Sequence, residues 1–267
     1  MKNCLSIAGS DCSGGAGIQA DLKTFSALGC FGMSVVVSVV AENTSRVISI
    51  HDIPPQIIRD QVDAVFEDIP VHAVKVGMLS GVSVMEAVAE KLLEYRPPVT
   101  VIDPVMVAKG GCALMQPDAL ETMKQNIVPL AGLLTPNLPE AKALTGIKIE
   151  TTADMKTAAK LLHEMGAAAV LVKGGHLEGD AADILFDGKT YTEFRAPRIS
   201  TRNTHGTGCT LSSALASYLA RGMELPQAVE AAKVYVTQAI RYGLAIGKGC
   251  GPTNHFYELY QWKGWLK

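Results

Sequence analysis

The chain has 267 residues, of which 48% are hydrophobic and 19% are charged. This balance excludes a disordered chain, which would be rich in charge and poor in apolar residues. The length is compatible with one domain over residues 1–267. The formal net charge is −2 and basic residues do not cluster, so neither nucleic acid nor an anionic membrane surface is an expected partner.

The sequence predicts a cytoplasmic protein. The apolar stretch at residues 33–41 is much shorter than the roughly 20 residues that span a bilayer. Asp11 comes before the apolar core of a signal peptide could form. The six cysteines are scattered without a Cys-x-x-Cys pair, which favours reduced thiols over a disulfide framework or a zinc site.

Apolar runs and helical periods alternate along the chain. Strands are predicted at residues 5–8, 33–40, 73–76, 99–102, 132–135 and 168–173, and a hairpin at 184–187 and 190–194 around Asp187-Gly188. Helices are predicted at 16–28, after Pro54-Pro55, at 85–92, after Pro117, at 155–165, at 207–221 and at 225–242. This order indicates a three-layer α/β fold, with helices on both faces of a central, mainly parallel sheet. Ligands of such sheets bind at the carboxyl ends of the strands.

A glycine-rich segment at residues 9–17 lies between a predicted strand and a predicted helix. Within it, Gly15-Ala-Gly-Ile-Gln-Ala matches a dinucleotide-binding fingerprint, and an acidic residue, Glu42, follows about 20 residues later. A dinucleotide-dependent oxidoreductase is therefore one alternative, although the fingerprint should follow its strand directly. Glycines also permit close approach of the backbone to some other ligand, and the remaining alternative is a generic glycine-rich turn.

A second glycine-rich segment, residues 203–210, precedes an apolar helix. Backbone amides at 206–208 would point outward at the start of that helix, where the helix dipole also favours an anion. Cys209 would lie in the first turn, where a lowered pKa is expected, so it could act as a base or a nucleophile. A buried packing cysteine and a thiol hydrolase using Cys209 and His205 remain alternatives.

Acidic and amide side chains follow two further strands. Asp103 precedes a proline, and Asn137 lies three residues before Glu140 at a predicted helix start. Such carboxylates beside bound phosphates would suit Mg²⁺, while Asn137 and Glu140 could equally form a capping box. Lys173, at the end of another strand, could neutralise a phosphate or simply be a lysine at a sheet edge.

Seven segments carry a resemblance to one family. In chain order they are AGSDCSGGAGIQADLKTF (8–25), VGML (76–79), DPVM (103–106), TPNLPE (135–140), KGGH (173–176), NTHGTGC (203–209) and GKGCGP (247–252). Together they resemble the hydroxymethylpyrimidine and phosphomethylpyrimidine kinases of thiamine biosynthesis, over the whole chain. The resemblance implies a ribokinase-like fold, use of ATP and Mg²⁺, a homodimer, and two successive phosphorylations of 4-amino-5-hydroxymethyl-2-methylpyrimidine.

The resemblance also implies roles for individual residues. Gly206, Thr207 and Gly208 would form the anion hole with Cys209 as the base; Asp103 and Glu140 would hold the metal; Asn137, Lys173, Thr207 and Lys233 would bind the nucleotide; and Gly9, Asp21, Glu42, Met78 and Val105 would line the pyrimidine pocket.

Glu42 is a departure from the family pattern, because many relatives carry Gln at this position. An amide both donates and accepts hydrogen bonds, whereas an ionised carboxylate only accepts them. Contact with a ring nitrogen would then need a proton on one of the two partners. This difference leaves open a related acceptor, as in a pyridoxal kinase.

Overall fold

Within residues 1–108, 110–175 and 181–266, which the computed structural model describes, nine strands form one sheet. They are β1 (Lys2–Gly9), β2 (Cys30–Asn43), β3 (Arg46–Asp52), β4 (Ala73–Val76), β5 (Thr100–Ile102), β6 (Leu133–Leu134), β7 (Val170–Lys173), β8 (Ala181–Phe186) and β9 (Tyr191–Ala196). The order across the sheet is β3-β2-β1-β4-β5-β6-β7-β8-β9. In this order, the neighbours from β2 through β1, β4, β5 and β6 to β7 pair in parallel. At the two edges, β3 pairs antiparallel with β2, β8 with β7, and β9 with β8. The prediction of a mainly parallel sheet is confirmed.

Helices connect most of these strands. They are α1 (Gly17–Ala27), α2 (Pro55–Phe66), α3 (Val82–Tyr95), α4 (Ala119–Thr122), α5 (Leu138–Thr145), α6 (Thr152–Glu164), α7 (Thr207–Ala220), α8 (Leu225–Arg241) and α9 (Tyr257–Trp262). A π-helical turn (Met123–Ile127) and a 3₁₀ turn (Val128–Leu130) continue α4. Pro55 occupies the first turn of α2, where its missing N–H leaves no hydrogen bond unmade.

Two apolar cores lie on opposite faces of the sheet. Side chains alternate along β4, so that Val74 and Val76 join one core with helices α2, α3, α5 and α6, while Ala73 joins the other with α1, α7 and α8. Burial on both faces explains the near-continuous apolar strands of the sequence. The three-layer prediction is therefore confirmed.

The sheet edges and short helices differ from the sequence prediction. Strand β3 was not predicted, and its residues alternate only between half-buried and exposed, so no apolar run marks it. Helix α9 was also not predicted, whereas α5 confirms the helix start that the sequence predicts at Asn137. Strand β2 extends beyond the predicted 33–40 at both ends, since Cys30–Gly32 pair with β1 and Ala41–Asn43 pair with β3. The predicted hairpin is confirmed, with Asp187 accepting hydrogen bonds from the backbone N–H groups of Lys189 and Thr190.

The carboxyl ends of the parallel strands meet along one edge of the sheet. Gly9 ends β1, Val76 ends β4, Ile102 ends β5 and Lys173 ends β7, so the segments that follow these strands face one another. Helix α7 also starts here, since Gly206 approaches the loop after β1. Among the described residues, no helix is both long and apolar enough to cross a membrane.

Candidate active site

A cleft of about 1130 Å³ runs along the carboxyl ends of the strands. This is large enough for two small ligands, since single-ligand pockets commonly fall between about 300 and 1,000 Å³. The predicted site residues that line it are Gly9, Glu42, Met78, Asp103, Val105, Asn137, Glu140, Lys173, Gly206, Thr207, Gly208, Cys209 and Lys233. The chain thus brings together side chains that are far apart in the sequence.

Asp21 is the exception among the predicted site residues. It is fully buried and is not part of the cleft lining. Its carboxylate is held by Lys75, by the Ser6 hydroxyl at 2.6 Å and by the Ser213 hydroxyl at 2.7 Å. The prediction that Asp21 lines a pyrimidine pocket is wrong, because these internal partners turn it into the protein.

The start of α7 presents backbone amides to the cleft. Gly206 precedes the helix with φ of 76°, and no side chain caps the first turn. A Cβ on Gly206 would lie 1.8 Å from the carbonyl oxygen of Gly15, so only glycine fits both the backbone angle and the contact. The N–H of Thr207 donates to the Thr204 carbonyl oxygen at 3.3 Å. The next amides, those of Gly208 and Cys209, have no side-chain cap and can serve an anion.

The two glycine-rich segments are joined by a buried pair, Asp11 and His205. Asp11 Oδ2 accepts hydrogen bonds from the N–H groups of Gly15 and Ala16 and lies 2.8 Å from His205 Nε2. Burial acts to raise the pKa of Asp11, but the hydrogen bonds from His205, Ser13 and Ala16 outweigh it and hold that pKa well below its usual range. His205 is therefore oriented by Asp11, and nothing in this arrangement supports a hydrolase in which His205 activates Cys209.

Glu42 lies beside this pair and lines the cleft. One carboxyl oxygen of Glu42, one of Asp11 and a ring nitrogen of His205 all lie within 4.8 Å of one another. Burial and the charge of Asp11 raise the pKa of Glu42 to about 7, against a smaller opposing effect of His205. A Glu42 carboxyl that holds a proton both donates and accepts, so it can make the same kinds of hydrogen bond as an amide.

Asp103 and Lys173 form an ion pair in the lining of the cleft. Lys173 Nζ lies 2.7 Å from Asp103 Oδ1, and Asp103 is almost fully buried. Burial acts to lower the pKa of Lys173, but the carboxylates of Asp103 and Glu140 outweigh it and raise that pKa. The ammonium of Lys173 therefore stays charged at the edge of the cleft.

Glu140 and Asn137 form the capping box of α5. The backbone N–H of Asn137 donates to Glu140 Oε2 at 2.8 Å, and that of Glu140 donates to Asn137 Oδ1 at 2.9 Å. Burial raises the pKa of Glu140 to about 7, opposed by Lys173 and assisted by Asp103. Both residues also line the cleft, so the capping box and a ligand-binding role are compatible.

Lys233 lies farther along the cleft and is paired with Asp183 of β8. Asp183 also accepts a hydrogen bond from the backbone N–H of Gly174 at 2.9 Å. The loop after β7 is thereby linked to α8. His176, at the end of the KGGH segment, lies outside the described residues.

Cys209 differs from its predicted electrostatics. Burial is the largest cause that raises the pKa of its thiol to about 11; the Lys75 ammonium opposes this rise, and Asp21 and Asp103 add to it. The expectation of a lowered pKa is wrong for the free protein, because the loss of water outweighs the start of the helix. The thiol is therefore protonated near neutral pH.

The GKGCGP segment, residues 247–252, packs against Thr44, which follows the end of β2 and lies two residues beyond Glu42. The backbone N–H of Cys250 donates to the carbonyl oxygen of Thr44 at 2.8 Å, and that of Gly249 donates to the Thr44 hydroxyl at 3.0 Å. A Cβ on Gly249 would lie 2.1 Å from the Thr44 carbonyl oxygen. This close approach explains the glycines of the segment and fixes the end of β2.

Sequence reasoning assigned no role to three charged residues of the site. Asp11 orders the first glycine-rich loop, Lys75 lies at the floor of the cleft, and Asp183 holds Lys233. The signal for Lys75 was its position within an otherwise apolar predicted strand, residues 73–76. The signal for Asp11 was an acidic residue directly after a strand, but its partner lies 194 residues away.

Comparison with known proteins agrees with this geometry. The phosphomethylpyrimidine kinase family model matches residues 11–254. A hydroxymethylpyrimidine/phosphomethylpyrimidine kinase of Rhizobium meliloti is 50% identical over 261 residues, covering 96% of this chain and 98% of the relative. The thiamine biosynthesis bifunctional protein ThiED of Geobacter sulfurreducens is 53% identical over 252 residues, covering 94% of this chain but only 51% of that longer protein. The solved ADP complex of Bacillus subtilis pyridoxal kinase matches with a TM-score of 0.89 at 40% identity, covering 96% of this chain and 97% of the other.

The sheet order, the cleft at its carboxyl edge and the open start of α7 define a phosphotransferase of the ribokinase-like class. Within that class, the chain belongs to the phosphomethylpyrimidine kinase family. The kinase prediction is thereby confirmed over the dinucleotide-dependent oxidoreductase. Gly15 and Gly17 serve internal contacts instead, since Cβ atoms there would lie 2.4 Å from the His205 ring and 2.5 Å from the Gly9 carbonyl oxygen.

Proposed function

We propose that this protein transfers the γ-phosphoryl group of ATP to the hydroxyl of 4-amino-5-hydroxymethyl-2-methylpyrimidine, and then a second phosphoryl group to the monophosphate formed. The observation that carries this proposal is that one cleft contains both Glu42 and the open start of α7. The Asp11–His205 pair connects the two ends. The names of relatives that match nearly the whole chain support the same substrates.

The acceptor end of the cleft fits a small aminated ring. Met78 and Val105 provide apolar surface, Gly9 brings the backbone close, and Glu42 provides the polar contact. A Cβ on Gly9 would lie 3.0 Å from the Met78 sulfur, so a side chain there would crowd the pocket wall. The expected contact is a carboxyl group that donates to a ring nitrogen and accepts from an exocyclic amine.

The phosphate end fits a nucleotide with magnesium. Asn137, Lys173, Thr207 and Lys233 line this end and would contact the nucleotide. The carboxylates of Asp103 and Glu140 also line it and give an oxygen donor set that suits Mg²⁺, which usually takes one or two protein carboxylates with water and substrate phosphates. Bound there, the metal would neutralise phosphate charge, while the amides of α7 orient the transferring group.

The two acceptors differ in their need for a base. A primary alcohol must lose its proton as it attacks phosphorus, so a base has to lie within hydrogen-bond reach. A phosphate monoester is already largely ionised at neutral pH, because its second pKa is about 6. We assign Cys209 to the first step, with the added expectation that this step accelerates as the pH rises toward the thiol pKa of about 11.

We further propose that the chain works as one domain over residues 1–267, as a homodimer and in the cytoplasm. The β3 edge of the sheet supports the dimer, since Phe31, Val39 and Ile48 are exposed apolar side chains on β2 and β3, and an open edge with such residues favours association. The six free cysteines support a reducing compartment. Size-exclusion chromatography with light scattering tests the dimer directly.

Pyridoxal is the second candidate acceptor, because a solved pyridoxal kinase shares the fold at a TM-score of 0.89. A coupled assay of ADP release distinguishes the two candidate acceptors. It is run with the hydroxymethylpyrimidine, its monophosphate and pyridoxal in turn. We expect the largest kcat/KM for the two pyrimidines and a severe loss of turnover in Gly208→Val. Turnover with pyridoxal alone would refute the proposed substrates, and tight NAD binding without ADP release would refute the kinase assignment.

A further inference from the structure

A lysine and an aspartate form a fully buried ion pair beneath the cleft. Lys75 lies in the middle of β4 and Asp21 on α1, and both are 0% exposed. The Lys75 ammonium lies 2.9 Å and 2.8 Å from the two carboxylate oxygens of Asp21. The hydroxyls of Ser6 and Ser213 donate to the same carboxylate. Four elements, namely α1, α7, β1 and β4, thus contribute to one internal network.

Stability alone gives little reason for this pair. Removing two charges from water is costly, and apolar side chains of similar volume often serve as well or better in a protein interior. The neighbours of Lys75 on β4 are Ala73, Val74 and Val76, so the sequence already provides the apolar alternative around it. A role in the chemistry of the site above it accounts better for a charged residue here.

The helix geometry places the pair one turn below Cys209. Residues four apart share a helix face, so Cys209 lies above Ser213 on α7, and Gly17 lies above Asp21 on α1. Ser213 and Asp21 are hydrogen-bonded to each other, and Cys209 is in turn within reach of the Gly17 backbone. The same helix faces therefore carry the ion pair and, one turn higher, the Cys209 thiol.

The positive end of the pair faces the cleft. Lys75 contributes to the cleft lining, as Cys209 does, whereas Asp21 does not. The ammonium also reaches toward the end of β4, since a Cβ on Gly77 would lie 2.7 Å from Lys75 Nζ. Glycine at 77 thus leaves room for this cation.

Four charged groups act on the Cys209 sulfur. They are Lys75 from β4, Asp21 from α1, Asp103 after β5 and Lys173 at the end of β7. Lys75 is the largest of the charges that favour the thiolate, and its effect exceeds that of its own partner Asp21. The pair as a whole therefore favours negative charge above it.

We propose that Lys75 is a positioning residue for phosphoryl transfer, whose buried charge, held in place by Asp21, stabilises negative charge on the Cys209 sulfur. The link to transfer rests on the proposed function. The effect on the thiol does not, because it exists in the free protein. Asp21 fixes the ammonium and limits its effect, so replacing the two partners must change Cys209 in opposite directions.

The test measures the reactivity of Cys209 without any substrate. Alkylation by iodoacetamide is followed across pH by mass spectrometry of the peptide that contains Cys209, which separates it from the other thiols. The variants are Lys75→Met, Asp21→Asn and the double variant, each checked for folding by circular dichroism. Lys91→Met is the matched control, since Lys91 is also largely buried and ion-paired, with Asp63, but on α3.

We expect Lys75→Met to raise the apparent pKa of the Cys209 thiol by about one unit or more, which is the usual effect of removing a close opposite charge. Asp21→Asn should lower it, the double variant should fall between the two, and Lys91→Met should match the wild type. A common direction for both single variants, or an unchanged profile, would overturn the proposal.

If Lys75→Met does not fold, the other two variants still decide the question, because Asp21→Asn must then alkylate at lower pH than the double variant. Equal profiles of these two proteins would overturn the proposal. The assay contains no nucleotide or acceptor, so its failure leaves the kinase assignment untouched, and the absence of kinase turnover would leave this result standing.

Discussion

We expect Glu42, as the proposed contact to the acceptor, to make acceptor binding depend on pH. Its pKa is raised from 4.5 to about 7, chiefly by burial and by the charge of Asp11. The carboxyl group is therefore protonated below about pH 7 and loses its proton as the pH rises through that value. If only the protonated form donates to the ring, acceptor affinity must fall on the alkaline side.

The size of the effect follows from the protonated fraction. With a pKa of about 7, roughly nine tenths of Glu42 is protonated at pH 6 and roughly one tenth at pH 8. The dissociation constant for the hydroxymethylpyrimidine should therefore rise about tenfold over this interval, equivalent to about 1.4 kcal/mol. Isothermal titration calorimetry of the free protein with the acceptor alone measures this constant without turnover.

Glu42→Gln provides the decisive comparison, because its amide donates and accepts at every pH. We expect this variant to bind the acceptor well and to lose the additional fall in affinity between pH 6 and 8. Any titration of the acceptor itself is common to both proteins and cancels in the ratio. Glu86→Gln, at an exposed glutamate of α3, is the control. The same pH dependence in wild type and Glu42→Gln would refute the argument.

Three further predictions concern the phosphate end. Gly208→Val places methyl groups at the start of α7, where even a Cβ would lie 3.2 Å from Asp103 Oδ2. The kcat should therefore fall by about 100-fold or more, with little change in Tm. Turnover at the wild-type rate would contradict the anion-hole assignment. Glu140→Gln keeps a capping box but loses a charge, so the variant should need a higher magnesium concentration for half-maximal activity. Activity of the wild type that survives a chelator would contradict the metal assignment. Cys209→Ala should reduce kcat/KM for the hydroxymethyl acceptor much more than for the monophosphate, with partial recovery in Cys209→Asp; equal losses would exclude a role as base.

The sequence predicted the layers and the position of the site because both follow from local patterns. Burial on both faces of the sheet accounts for the apolar strand at Ala73–Val76. Hydrogen bonds from the backbone to the Asp187 side chain account for the turn at Asp187-Gly188. The amides at the start of α7 likewise follow from glycines next to an apolar helix. Strand β3 lacked such a signal, because its pairing with the long β2 decides it.

The electrostatics of the site could not be predicted in the same way. Cys209 lies at a helix start, as expected, yet burial dominates its pKa, and burial depends on the packing of α1, α7 and β4 around it. The internal position of Asp21 could not be predicted from the sequence either. Its place in the GIQADLK segment indicated a ligand, but its partner Lys75 lies 54 residues away and becomes visible only in the fold.

Product formation over time tests the central claim most directly. The protein is incubated with ATP, magnesium and the hydroxymethylpyrimidine, and the products are identified by mass spectrometry. We predict that the monophosphate appears first and is then converted to the diphosphate, with one ADP released at each step. A reaction that yields no phosphorylated pyrimidine, while pyridoxal is phosphorylated under the same conditions, would contradict the proposed function.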